Sequence, residues 1–249
     1  MVDTGDLKSP PFIAGAGSTP VPSNFFTRKI LMQKNIFLMI ATLLCSMQLQ
    51  AGDVMPQAFT SVMNGSAHYG KETIDQIVIN GKAELDGTTV TTRLQVSGTL
   101  DAKDAHIKAM DIHGKTSLNG CFVGTMEIHG KTLLERCSIG SMEVYGKVDL
   151  SDCSISKKST VTGSLVADSS KFLEELTASS DRIVFSSCSL SSLRVIETKG
   201  FKNTQVVELK DNTTVNGSII FERGNGEVIL GSNCTITGNI VGGKLRKSA

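Results

Sequence analysis

The chain has 249 residues, with 25 Lys and Arg against 24 Asp and Glu, for a formal net charge of +1 at pH 7. That balance lacks the basic excess on which a dedicated nucleic-acid binder depends, so no nucleic-acid partner is expected. With no Trp, two Tyr and 24 Gly, among abundant Ser, Thr, Ile and Val, the composition favours strands and tight corners over helices.

Residues 1–31 contain the polar, Pro-bearing stretch "LKSPPFIAGAGSTPVPSN" and are expected to be a disordered leader. Such a leader does not normally precede an export signal, so translation is expected to start at Met32, with residues 1–31 upstream of the true start. Residues 32–51, "MQKNIFLMIATLLCSMQLQA", begin with a Lys, continue through an apolar run from Ile36 to Cys45 and end on Ala51, with Leu49 two positions earlier. This is the pattern of a secretory signal peptide. The apolar run is well short of the ~20 residues that span a bilayer, so the mature chain, from Gly52, is expected to have no membrane span. Two alternatives stay open: a retained anchor, and lipid attachment at Cys45, the latter disfavoured by Leu44. The expected location is exported: periplasmic, cell-surface or extracellular. Residues 52–73 are expected to form an N-terminal cap.

From residue 74 to 243 the sequence repeats. Apolar residues at Ile79, Leu85, Val90, Val96, Ala102 and Ile107 continue through Ile112, Leu118, Val123, Ile128 and Leu134 to Ile139, Val144, Leu150, Ile155 and Val161. Steps of five or six residues, three to a coil, give a period of sixteen or seventeen. A helical repeat needs thirty or more residues and apolar steps of three and four, so the period argues for short strands. The predicted fold is all-β: a single-stranded parallel β-helix, a three-sided β-solenoid of about 16–21 residues per coil, with coils stacked about 4.8 Å apart.

Glycines at 81, 98, 114, 130, 146 and 163 hold one phase, two residues after a branched apolar residue. A corner that needs positive φ, or leaves no room for a Cβ, explains them. Beyond Gly163 the corners loosen: residues 177–179, "TAS", are expected at the Gly phase, and "FSSCSL" at 185–190 repeats "LSDCSI" at 150–155. Later the step is twenty-one, from Val207 to Val228 and Gly217 to Gly238, with room for a larger corner loop at 221–227. Residues 244–249 are expected to be a basic tail that ends the stack.

Coils in register turn the repeat into files of like residues. Cys121, Cys137 and Cys153 share the inward parity of Val123, Ile139 and Ile155, which predicts a buried thiol ladder. Disulfides between rungs, or a metal, are the alternatives; five cysteines follow residue 51, an odd number, and none forms a C-x-x-C pair. Met110, Met126 and Met142 are expected inward. Three outward files lie between them: Asp111, Glu127 and Glu143; His113, His129 and Tyr145; and Lys115, Lys131 and Lys147. His113 and His129 with Asp111 and Glu127 compose a candidate divalent-cation surface, and the Lys file a candidate contact for an anionic polysaccharide. The alternative is that opposite charges in neighbouring files simply keep an exposed sheet soluble.

Stretches such as "VSGTL", "VTGSL", "VNGSI" and "ITGNI" occur at the phase after an apolar residue. In them the chain resembles the bactofilins, polymer-forming bacterial cytoskeletal proteins, over roughly residues 74–243. The resemblance implies a β-helical domain that polymerises end to end without nucleotide. Bactofilins act in the cytoplasm, whereas residues 32–51 read as an export signal.

No catalytic motif is found: no G-x-S-x-G elbow, H-E-x-x-H, phosphate loop or dinucleotide fingerprint. The function expected is therefore an exported, non-enzymatic structural or binding solenoid without cofactors, self-associating through its terminal coils, with an envelope polysaccharide as the other candidate partner. The alternative is a polysaccharide lyase or hydrolase on a parallel β-helix, working near Lys115, Lys131 and His129.

Overall fold

The computed structural model describes residues 60–198, 200 and 203–248. The expected leader, signal peptide and signal-flanking residues up to 59 lie outside these residues. Among the described residues every regular element is a strand, from Thr60–Tyr69 to Gly243–Lys247. The strands wind into a β-solenoid of about 11 turns, each paired in parallel with the next. No helix among them is long and apolar enough to cross a membrane.

Period-two alternation explains why each coil closes. Around one turn the inward side chains are Met110 and Ile112, then Thr116 and Leu118, then Cys121 and Val123, each pair forming one wall of the prism, and all six are buried. All sixteen apolar positions that defined the period are buried, and the inward Met file is buried with them. Each wall is too short to bury anything alone, so the apolar interior exists only because neighbouring coils cover it.

Three corners join the walls, and the backbone solves each differently. At the first, Gly130 has φ +148°, and a Cβ there would sit 1.9 Å from the carbonyl oxygen of Gly114 in the preceding coil. Both reasons anticipated for this glycine file hold at once. The second corner turns through a left-handed residue whose identity varies: Asp104, Arg136, Asp152, Ser169 and Ser187 stand there with φ between 49° and 54°, alongside Gly87 and Gly120. The amide of each donates to the carbonyl oxygen before the same corner in the next coil, as in Arg136 N to Ser151 O at 2.9 Å. At the third corner Gly124 and Gly140 form another close-approach file; a Cβ on Gly140 would lie 2.1 Å from Gly124 O.

Several boundaries differ from expectation. Thr60–Tyr69, inside the stretch predicted to cap the stack, is itself a rung, with Gly65 under Gly81 and Ala67 under Ala83. Its inward positions Ser61, Met63, Ala67 and Tyr69 carry little apolar signal, and the Tyr69 hydroxyl spans the rung to reach Ser61 Oγ at 2.6 Å. Residues 177–179 lie over 160–162, one residue short of the Gly163 phase. One coil exceeds the predicted length: Ile183 lies under Val207 and Leu190 under Val215. The twenty-one-residue step holds, with Val207 under Val228 and Thr214 under Thr235. Gly243–Lys247, expected as tail, pairs with Gly226–Leu230 as a strand, because Leu245 continues the Val228 file.

Candidate functional site on the ladder face

The expected files are all in register. Asp111, Glu127 and Glu143 stack in consecutive coils, as do His113, His129 and Tyr145, and Lys115, Lys131 and Lys147. The first two files share the outward face of one wall; the lysines follow across the first corner. Placement is therefore set by the backbone, while the pairing between files is set by rotamers.

The acids pair with the ring file. His113 Nδ1 lies 3.4 Å from Asp111 Oδ1, and His129 Nε2 lies 3.2 Å from Glu127 Oε1. The Tyr145 hydroxyl donates to Glu143, whose carboxylate holds the phenol above its ordinary pKa. Arg93 adds a cation to Asp111, its Nη2 2.8 Å from Oδ2. The rings themselves stack: His113 on His129 and His129 on Tyr145, each with centroids 4.7 Å apart and interplanar angles of 15° and 7°.

This stacking bears directly on the candidate cation surface. A metal binds an imidazole in the plane of its ring, and nearly parallel planes about one rung apart direct their nitrogen lone pairs side by side instead of toward one point. Among the described residues no group of three or more His, Cys, Asp or Glu is placed to hold a metal ion. The same stacking covers both faces of His129 with neighbouring rings.

A groove of about 640 Å³ runs along the third corner, lined on one side by Asp111, Glu127 and Glu143 and floored by Ala109, Thr125 and Ser141. His113 and His129 do not line it, nor do Lys115, Lys131 and Lys147. The groups proposed for lyase chemistry near Lys115, Lys131 and His129 thus lie on an open face outside the groove.

The lysines differ from one another in their counter-charges. The outward residue two positions after each lysine decides this. Lys82 is paired with Glu84 and lies 3.8 Å from Asp101, and Lys147 Nζ lies 3.1 Å from Asp149. After Lys115 and Lys131 the corresponding positions are Ser117 and Leu133, the latter 38% exposed. Lys115 and Lys131 are exposed, neighbours in one file, and form no ion pair with a described residue.

Inside the prism the thiol ladder is present: Cys121, Cys137, Cys153 and Cys188 are buried and free. Their phase has a chemical reason that residue spacing alone did not disclose. Each thiol donates to the carbonyl two residues earlier, at the left-handed corner: Cys121 to Asn119 O at 3.4 Å, Cys137 to Glu135 O at 3.2 Å, Cys188 to Ser186 O at 3.1 Å. Ser170 does the same to Asp168 O at 2.8 Å, and Thr88 and Thr213 cap the same corner. The file holds small side chains, of which Ala105 lacks a donor, and Cys is the most apolar of those that donate. Burial pushes the Cys188 thiol up to about 11. Cys234, in the last coil, is half-buried.

Comparison with protein-family models, with curated proteins and with solved structures gives no match to this chain.

Proposed function

We propose that the chain is an exported, non-enzymatic β-solenoid that serves as a structural and binding surface and associates with further copies through its terminal coils. One observation carries the association. The last coil, Thr235–Ile236, Ile240–Val241 and Gly243–Lys247, pairs on one side only with described residues. Its Ile236, Ile240 and Leu245 extend the three apolar files, yet are only partly buried or, for Leu245, 50% exposed. An unpaired strand edge above an uncovered core is the surface on which another coil would fit. Export rests on residues 32–51, and a non-enzymatic role is supported by acids that are engaged by histidine, tyrosine and arginine along the groove they line.

Sedimentation of the chain over a concentration series tests the association. The expected result is a mass that rises with concentration and an Ile240→Lys variant that stays monomeric while melting at the same temperature. A monomer at every concentration overturns the association. Recovery of the chain in the cytosol with residues 32–51 attached overturns export.

A further inference from the structure

The charge pattern beside the first corner singles out one stretch of the outer surface. Along the file Lys82, Thr99, Lys115, Lys131 and Lys147, the neighbouring file reads Glu84, Asp101, Ser117, Leu133 and Asp149. A carboxylate accompanies the lysine at both ends and is replaced by a hydroxyl and an apolar side chain in the middle. On the other flank His113 and His129 are turned to Asp111 and Glu127 and leave the lysines uncompensated. Two stacked like charges repel, and along this file the lysines left without a carboxylate are Lys115 and Lys131. The chain as a whole carries +1, so this attraction is local.

We propose that Lys115 and Lys131 form a docking stripe for a linear acidic polysaccharide with one carboxylate per sugar residue. The coils repeat about every 4.8 Å, close to the length one sugar adds to such a polymer, so successive carboxylates meet successive lysines. A nucleic-acid duplex, with a charge about every 1.7 Å of its axis, does not share that period. Ser117 offers a hydroxyl to the sugar and Leu133 an apolar face to its ring, whereas an Asp or Glu at either position would repel the polymer. Each contact is weak and exposed, so binding builds up with polymer length.

The test uses the full chain in affinity electrophoresis through gels containing polygalacturonate, its fully methyl-esterified form, or neither. Retardation is expected with polygalacturonate alone, growing with the length of the oligomer and not competed by galacturonate monomer. Two double variants, Lys115→Gln with Lys131→Gln and Ser117→Asp with Leu133→Asp, are each expected to weaken binding roughly tenfold, as loss of two exposed charge contacts does. The second pair installs the residue type already present at Asp101 and Asp149, so the fold is retained, and an unchanged melting curve verifies it. Lys82→Gln, whose lysine is already paired, should bind as the parent does. Double variants that bind like the parent, equal retardation by the esterified polymer, or binding to phosphatidylglycerol vesicles without retardation by polygalacturonate would each overturn the assignment.

Discussion

Gly130→Ala isolates the close approach of consecutive coils. The new Cβ would stand 1.9 Å from Gly114 O, against ordinary contacts beyond 3.4 Å, so the coils must separate by more than an ångström at that corner. The backbone at φ +148° adds a conformational cost of about 1–3 kcal/mol for any residue with a Cβ. Separation also lengthens two or three inter-coil hydrogen bonds worth about 1 kcal/mol each. The sum is about 3–6 kcal/mol, reaching the top of what single substitutions cost. Gly65→Ala supplies the control: it shares the phase, has φ +105°, and nothing lies within 4 Å of its Cβ. It should lose only the conformational part, about 2 kcal/mol. Urea titration followed by far-ultraviolet circular dichroism measures both. Equal losses in the two variants would refute the claim that inter-coil contact, beyond backbone conformation, reserves this phase for glycine.

Further expectations concern the interior and the second corner. Thr132→Val should raise stability by about 1–2 kcal/mol by urea titration, because Thr132 Oγ1 is buried without a hydrogen-bond partner and Val148 already fills the same file. A destabilised variant would mean that the hydroxyl has a partner. Arg136→Gly should stabilise by about 1 kcal/mol through relief of its left-handed conformation, φ 51°, as Gly120 shows at the same corner, with the melting temperature as readout. In the native state a thiol reagent should modify Cys234 well before Cys121, Cys137, Cys153 and Cys188, which should react only after denaturation; early reaction of the buried four would contradict the ladder. The Cys188 thiol also sets a pH dependence. Burial raises it from 9.0 to about 11 in the folded chain, so between those values the unfolded chain releases a proton that the folded chain keeps. Stability is therefore full below pH 9.0 and declines as pH rises toward 11, and Cys188→Ser should flatten the decline.

The features legible in the residue order and those hidden from it divide along the wall of the prism. Ile79 to Val161 announced the coil because an inward position is a yes-or-no constraint repeated at every turn. The glycine file was equally legible, since one carbonyl contact recurs unchanged in each coil. The second corner was not, because Asp104, Arg136, Asp152 and Ser169 share a backbone angle and no side-chain chemistry. The rung Thr60–Tyr69 escaped notice because Ser61 and Tyr69, joined by a hydrogen bond, stand where later coils carry Ile77 and Leu85.

The amino-acid order alone determined that the chain coils, which residues face inward, and which outward residues become vertical neighbours, since all three follow from a strand's alternation and a fixed coil length. Only the folded structure decided how those outward residues pair. His129 leans to Glu127, Lys147 to Asp149, while Lys115 and Lys131 are left with Ser117 and Leu133. Side chains on a solvent-facing wall choose between neighbours by rotamer and distance, and periodicity in the sequence carries no record of that choice.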